Sequence, residues 1–269
     1  MLKLFLISAT SLFTLLSCGQ NRVTPGAKWS PVETIHTFSW GKSTTKISVL
    51  RYGDSTNPVM INLHDDEATS VKAAKRVLEQ SGGFLIRIVN NKKRMISFSK
   101  NGKKWIFDPN RMFTRTGIIA SLQRNNQAAP EPVITSITEF AQFVLDQIPR
   151  HSNTVIALHN NDQGKLSIDS YIPGGAHEHD AALHYKSKAL DPDNFYLTTD
   201  ENLYRLLQSQ QVNVVQQDNV YAKDDGSLSI YYGRKKKSYV NVEAEHGQVM
   251  EQQDMIRRVV SILSDQKLE

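Results

Sequence analysis

The sequence predicts one α/β domain: a mixed, mostly parallel sheet flanked by helices. Three observations carry that prediction. Strand-like and helix-like runs alternate along the chain instead of segregating into blocks. The composition is globular, with 39% hydrophobic and 22% charged residues, which excludes wholesale disorder. The 269 residues show no internal repeat and no linker beyond residue 30, and a domain takes roughly 100–200 residues. A mean hydropathy of −0.41 excludes a polytopic membrane protein.

The strand-like runs are 33–40, 45–52, 57–63, 83–89, 95–99, 104–107, 153–159, 165–171, 212–216, 228–232 and 238–244. Asn101-Gly102 between two of them signals a tight hairpin. The helix-like runs are 68–81, 114–124, 134–148, 199–210 and 248–264. In the first, Val71, Ala74, Val77 and Leu78 share a face, and Gly82-Gly83 ends the run. In the third, Ile134, Ile137, Phe140, Phe143 and Val144 make a similar stripe. The stretch 172–198, with Pro173-Gly174-Gly175 and Pro192, reads as a long loop, of the kind that is usually functional or mobile.

Residues 1–17 read as a signal peptide. Lys3 supplies a short positive start, and the following 14 residues carry no charge. That is too short to span a bilayer as a helix but suits an export segment. It ends at Leu15-Leu16-Ser17-Cys18, which resembles a bacterial lipobox. The resemblance implies cleavage before Cys18 and a lipid on its thiol, anchoring the chain to a membrane that faces the periplasm or the exterior. Acyl chains hold at ~0.8 kcal/mol per buried methylene. Residues 18–30 would then be lipidated Cys and tether, and 31–269 the catalytic domain. Cys18 is the one cysteine, so a disulfide framework and a cysteine zinc cage are excluded; with its thiol lipidated the mature chain would have none left, which excludes a cysteine nucleophile too.

Without Lys3 the chain carries 31 basic residues, against 32 in full, and 27 acidic ones. That balance is mild. Lys92-Lys93-Arg94, Lys103-Lys104 and Arg234-Lys235-Lys236-Lys237 read as solvated hairpin tips, or as attraction to an anionic envelope polymer or lipid. An exported lipoprotein is not expected to meet nucleic acid.

Two apolar runs end in histidine. Val59-Met60-Ile61-Asn62-Leu63 leads to His64-Asp65-Asp66-Glu67 and then directly to a helix. Val155-Ile156-Ala157-Leu158 leads to His159. Carboxyl ends of strands are where open α/β sheets bind ligands. Adjacent in a sheet, these two strands would bring His64, Glu67 and His159 together. Imidazole nitrogen and carboxylate oxygen suit zinc, which in catalytic sites takes three protein ligands and a water. Asp65 and Asp66 need no role beyond the turn.

This pattern resembles the zinc metallocarboxypeptidase family, which binds zinc through HxxE at one strand end and a His at a later one. The resemblance extends to Asp108-Pro109-Asn110-Arg111, to Tyr221, to Gly226-Ser227-Leu228, and to Ser238-Tyr239-Val240-Asn241-Val242-Glu243. It covers about residues 57–245. It implies a carboxypeptidase-like fold and Zn2+ on His64, Glu67 and His159. It also implies that Asn110 and Arg111 hold a substrate carboxylate, for which the planar arginine fork is apt, with Leu228 beside them. Tyr221 would be a mobile phenol over the scissile bond, Glu243 the general base and Arg94 the oxyanion partner. Lys93 and Arg94 also read as plain hairpin charges. Glu245 lies two residues beyond Glu243 and faces the same side of a strand, so it is the alternative base. His177, His179 and His184 read as solvated loop histidines or as a separate metal site. Ser229-Ile230 stand where the family often has Asp-Trp, which puts a digestive-type substrate pocket in doubt.

The implied activity is hydrolysis of an amide bond next to a free carboxylate. Murein stem peptides or other peptides are the expected substrates. Zinc-dependent deacylation of N-acyl amino acids and non-catalytic binding of an envelope ligand are the alternatives.

Overall fold

The structure is a computed structural model and describes residues 28–265. The run read as a signal peptide, Cys18 and the expected tether up to residue 27 lie outside the described residues. In order, the chain forms β1 (Pro31–Ser39), β2 (Thr44–Tyr52), β3 (Val59–Asn62), α1 (Ala68–Ser81), β4 (Gly83–Val89), β5 (Ile96–Lys100), β6 (Lys103–Phe107), α2 (Arg115–Arg124), α3 (Glu131–Leu145) and β7 (Thr154–Asn161). It continues with β8 (Ala181–Tyr185), β9 (Phe195–Thr198), α4 (Glu201–Ser209), β10 (Val214–Gln217), α5 (Leu228–Arg234), β11 (Ser238–Glu245) and α6 (Val249–Asp265).

Nine strands form one mixed sheet in the order β1-β2-β4-β3-β7-β11-β9-β10-β8. Its centre, β4-β3-β7-β11, is parallel. From β3 the chain passes through α1 to β4 on one side, and β7 joins β3 on the other. This reversal leaves a crevice beyond the carboxyl ends of β3 and β7, where ligands bind in such sheets.

Strand alternation divides the core into two layers. Met60, Ile156, Leu158, Val240 and Val242 pack with Leu78 of α1, Leu207 of α4 and Ile256 of α6. Val59, Ile61, Val155, Ala157 and Tyr239 face the other way, toward Leu122 of α2, Phe140 of α3 and Leu228 of α5. A period of two therefore puts His159, Asn241 and Glu243 on the second side. Trp40 stacks on Phe98 at 4.2 Å, with Phe140 5.0 Å away, tying the β5–β6 hairpin and α3 to that layer. Truncating the fully buried Phe140 to Ala is expected to cost ~3–5 kcal/mol.

Local chemistry explains the boundaries. Gly82, at φ 70°, ends α1 and donates its N–H to Leu78 O at 2.9 Å. Gly83 follows at φ 111°, and a Cβ there would lie 2.4 Å from Pro58 O. Asn101 and Gly102 both take positive φ, as the predicted tight hairpin requires.

Three expectations are corrected. Run 228–232 is not a strand but the start of α5: Ser227 caps it by accepting from Ile230 N–H, right after Gly226 at φ 79°. Short apolar runs do not distinguish helix from strand. Run 165–171 has no ladder partner, and a Ser167/Ser170 capping box coils Ile168–Ser170 into a 3-10 turn. The stretch 172–198 is not one loop, because it contains β8 at the sheet edge and the fully buried β9. A smaller shift places the start of α3 at Glu131, with a proline in its first turn.

Candidate metal centre

β3 is buried throughout, and the chain turns immediately after it. Glu67 N–H donates to His64 O at 3.1 Å, closing a turn that runs straight into α1. His64 and Glu67 therefore project from one turn, and His159 projects from the neighbouring β7. His64 Nδ1 lies 2.9 Å from Glu67 Oε1, and His159 Nδ1 lies 3.0 Å from Glu67 Oε2. One donor atom from each residue falls within 4.8 Å of the others, and all three residues are buried. Among the described residues this is the one such group.

The outer nitrogens are also held. His64 Nε2 meets Asp108 Oδ1 at 2.7 Å, and His159 Nε2 lies 3.4 Å from Asn110 Nδ2. Asp108 Oδ1 accepts the Asn110 N–H at 2.8 Å. Metal-binding histidines commonly hand their second nitrogen to a carboxylate in this way, which fixes tautomer and ring orientation. Two Nδ1 atoms and a carboxylate, buried together and aimed at one point, fit a divalent zinc.

The electrostatics follow from burial and proximity. Burial opposes a charge on His64, but Glu67 and Asp108 on its two sides win and raise its pKa to about 9. Burial likewise opposes charge on Glu67, yet His159 and His64 hold its carboxyl well below the usual range. Asp108 is held down similarly, against its burial, chiefly by His64.

The centre opens into a cleft of about 470 Å³ lined by Glu67, Arg94, Asn110, Arg111, His159 and Glu243, among others. Glu243 is 4% exposed and is the register partner of His159. Burial pushes its pKa up to about 6, and Asn241 Nδ2 donates to its Oε2 at 2.9 Å. Arg94 Nη1 donates to Glu67 Oε1 at 2.7 Å. Asp65 anchors the loop that carries Arg94: it accepts from Arg87 Nη2 and from the N–H groups of Asn90 and Lys92 at 2.7–3.0 Å. A second cavity of about 360 Å³, around Pro58, Thr154 and Val260 at the opposite end of the sheet, has no titratable side chain.

Other expected residues sit elsewhere. Tyr221 is 82% exposed and stands with His179 and His184 around a separate surface depression; a turn pinned by Asp218 holds it there. Leu228 is buried in the core, and only its N–H reaches the site, donating to Asn110 Oδ1 at 3.0 Å. Glu245 is paired with Asn161 and hydrogen-bonded by Gln248, away from the cleft lining. His177 pairs with Asp180 at 3.0 Å. The tyrosines that do line the cleft are Tyr171 and the buried Tyr239. Nothing in the sequence marks Tyr171, nor the supporting contacts of Asp65 and Asn241. Asp108 belongs to the Asp108-Pro109-Asn110-Arg111 segment that carries the resemblance, which gives it no role of its own.

No family model matches the chain, and no curated protein matches it in sequence. Its fold is carboxypeptidase-like. A solved structure of thrombin activatable fibrinolysis inhibitor is similar over 87% of this chain and 71% of that one, with TM-score 0.50 and 10% identity. Murein-tripeptide amidase from Escherichia coli O157 is similar over 91% and 96%, with TM-score 0.46 and 14% identity. An aspartoacylase family protein from Mesorhizobium loti is similar over 86% and 66%, with TM-score 0.42 and 12% identity.

Proposed function

We propose that this chain is a zinc-dependent hydrolase that cleaves an amide bond next to a free carboxylate, on murein peptides or other peptides of the cell envelope. The observation that carries this reading is the convergence of His64 Nδ1, Glu67 and His159 Nδ1 in a cleft that also holds Glu243, Asn110 and Arg111. Zinc held by the three residues supplies a Lewis acid that polarises the scissile carbonyl and acidifies water.

The chain's own residues do the rest. Arg111 binds the substrate's terminal carboxylate, and Asn110 orients beside it. Glu243 takes a proton from the attacking water as the C–O bond forms. It returns that proton to the amide nitrogen as the C–N bond breaks, so the amine leaves, and the new carboxyl gives up the second water proton to solvent and leaves as a carboxylate. Arg94, with its guanidinium at the mouth of the centre, stabilises the developing oxyanion. A lipid on Cys18 would hold the domain at the envelope surface where such peptides lie.

The test is mass spectrometry of murein digests and peptide libraries incubated with the purified soluble domain, with zinc and with a chelator. Release of a carboxyl-terminal residue that stops on chelation supports the reading. Substrate binding that survives chelation, without turnover of any peptide, rejects it in favour of a binding module.

A further inference from the structure

The described chain enters at the end of the sheet opposite the metal centre. Lys28 Nζ lies 3.2 Å from Glu79 Oε2, and Trp29 N–H donates to Glu79 O at 2.7 Å, near the carboxyl end of α1. The Trp29 ring closes over Gly53, where a Cβ would lie 2.8 Å from it. β1 then starts at Pro31, opposite Tyr52, which is itself opposite Gly83 at the start of β4. His64 and His159 stand at the other ends of the parallel strands, and His159 lies about 16 Å beyond the start of β7 at ~3.3 Å per residue. The entry end also carries cations. Arg150 is exposed in the loop that leads into β7, and Lys235, Lys236 and Lys237 are exposed in the turn that leads into β11. Thr154 is opposite Ser238, with Oγ1 donating to Oγ at 2.9 Å, so loop and turn are neighbours. Arg234 pairs with Asp224 at 2.6 Å, whereas Arg150 and the three lysines form no ion pair among the described residues. Several acids at this end are engaged: Asp54 with Arg51 at 3.0 Å, Glu79 with Lys28, and Asp200 as the cap that accepts from Leu203 N–H at 3.1 Å. Asp146 and Asp265 keep exposed carboxylates there.

The free cations are spread over an open face, and Lys236 and Lys237 border a broad groove of about 570 Å³. That arrangement suits an extended anionic surface better than one small anion. We propose that this end of the domain rests on the anionic headgroups of the membrane that holds Cys18, so that the catalytic cleft points away from the lipid. The length of chain agrees. Lys28 is ten residues beyond Cys18, a reach of at most about 35 Å. With the cleft end on the membrane, those residues would have to run back along the sheet, about 30 Å for the nine-residue β1 alone. With the entry end on the membrane they need no such detour. The cations then come within a Debye length of the lipid, about 10 Å at 0.1 M salt. Each Lys or Arg near such a surface strengthens association about fivefold. The cleft is thereby presented to peptides lying above the membrane. The inference rests on the reading of Cys18 as a lipid anchor.

The test uses the full-length chain, reconstituted into vesicles of phosphatidylcholine and phosphatidylglycerol that carry a headgroup nitroxide lipid as quencher. Asn153→Cys places a fluorophore at the entry end, and Lys42→Cys places one beyond the far end of β1; both positions are exposed. The label at 153 should be quenched several-fold more than the label at 42. Lys235→Glu, Lys236→Glu and Lys237→Glu combined should bring the two toward equality, with circular dichroism confirming the fold. Salt at about 1 M, where the Debye length is only about 3 Å, should do the same without any substitution. Equal quenching at both positions, stronger quenching at 42, or a difference that survives both charge reversal and salt overturns the proposal. Protection of the label at 153 by isolated murein, with no loss to the lipid quencher, would assign this face to the polymer and overturn it too. Intact mass keeps the two readings apart. A chain without lipid on Cys18 rejects the anchor and this proposal with it, whereas a lipidated chain with equal quenching rejects this proposal alone.

Discussion

Glu243 and His159 are directly opposed across the parallel ladder of β7 and β11. Neighbouring strands lie ~4.8 Å apart, and directly paired residues share a sheet face. A carboxyl at this position therefore stands beside the metal centre without belonging to it. Glu245 is opposed to Asn161 instead, about 7 Å further along the strand. Register, rather than residue type, separates the two acids.

Glu243→Gln should keep the fold and bound zinc while lowering kcat about 10²–10⁴-fold. Glu245→Gln should change it little. The carboxylate must be ionised to accept a proton, so kcat/KM should fall as pH drops through about 6. A bound dication would move that limb lower. A pH–rate profile of both variants decides the matter; loss on Glu245→Gln alone would show the register assignment to be wrong by two residues.

Zinc affinity should rise with pH. A coordinating imidazole must be neutral, and His64 is protonated below about 9 in the metal-free chain. Each pH unit below that value should therefore weaken binding about tenfold through this one proton. His64→Ala, Glu67→Ala and His159→Ala should each abolish stoichiometric binding. Asp108→Ala should weaken it about 10–100-fold and flatten the pH slope, because the acid that stabilises the His64 imidazolium is gone. Chelator competition at several pH values measures both effects. An affinity independent of pH from 6.5 to 8.5 would contradict the assignment of His64.

Stability of the metal-free protein should run the other way. The raised His64 pKa contributes stability that is fully present below its unfolded value of 6.5 and is lost as pH rises through about 9. The depressed Glu67 pKa contributes stability present above its unfolded value of 4.5 and lost as pH falls toward the folded one. Urea midpoints of the chelated protein should thus decline from neutral pH to pH 9. Saturating zinc, which binds best at high pH, should reverse that slope.

The three donor residues were legible because strand, turn and helix signals are local. An apolar run fixes the strand, and a histidine after it must lie at the strand's end. Glu243 was legible through the spacing of the motif that ends in it; alternation along β11 alone puts Glu245 on the same face. Motif spacing gives chain position, not the direction in which a side chain leaves the backbone, so it does not foretell that Leu228 is buried and Tyr221 exposed. The apolar run around Leu228 satisfies a strand as well as a helix, and Ser227, the residue that settles it, acts through a cap. Tyr171 and Asp65 depend on contacts across many residues. The Asp65 carboxylate meets amides 25 and 27 residues away, a separation no local pattern encodes.

Cys18→Ala should release the chain from membranes or leave it unprocessed. The expectation comes from Leu15-Leu16-Ser17-Cys18 after an uncharged run. Fractionation of cells expressing each form, with intact mass of the mature protein, measures it. A free thiol at residue 18 together with unchanged membrane association would contradict the anchor.

Tyr171→Phe and Tyr221→Phe separate two positions for a phenol in the reaction. Tyr221 sits on an exposed turn, with its own N–H tied to Asp218 at 2.8 Å. Tyr171 borders the cleft and stacks on His177 with ring centroids 5.4 Å apart. Burial raises its pKa, and the carboxylates of Glu243, Asp225 and Asp180 raise it further, so its hydroxyl stays protonated and keeps a proton to donate to negative charge developing in the cleft. Removing such a hydrogen bond costs ~1.5–3 kcal/mol, a fall in kcat/KM of about tenfold or more. Tyr221→Phe should change kcat/KM less than about twofold, since exposed substitutions away from a site have small effects. The reverse result would mean that the turn around Tyr221 moves over the cleft during turnover, and that the role implied by the motif belongs to Tyr221 after all.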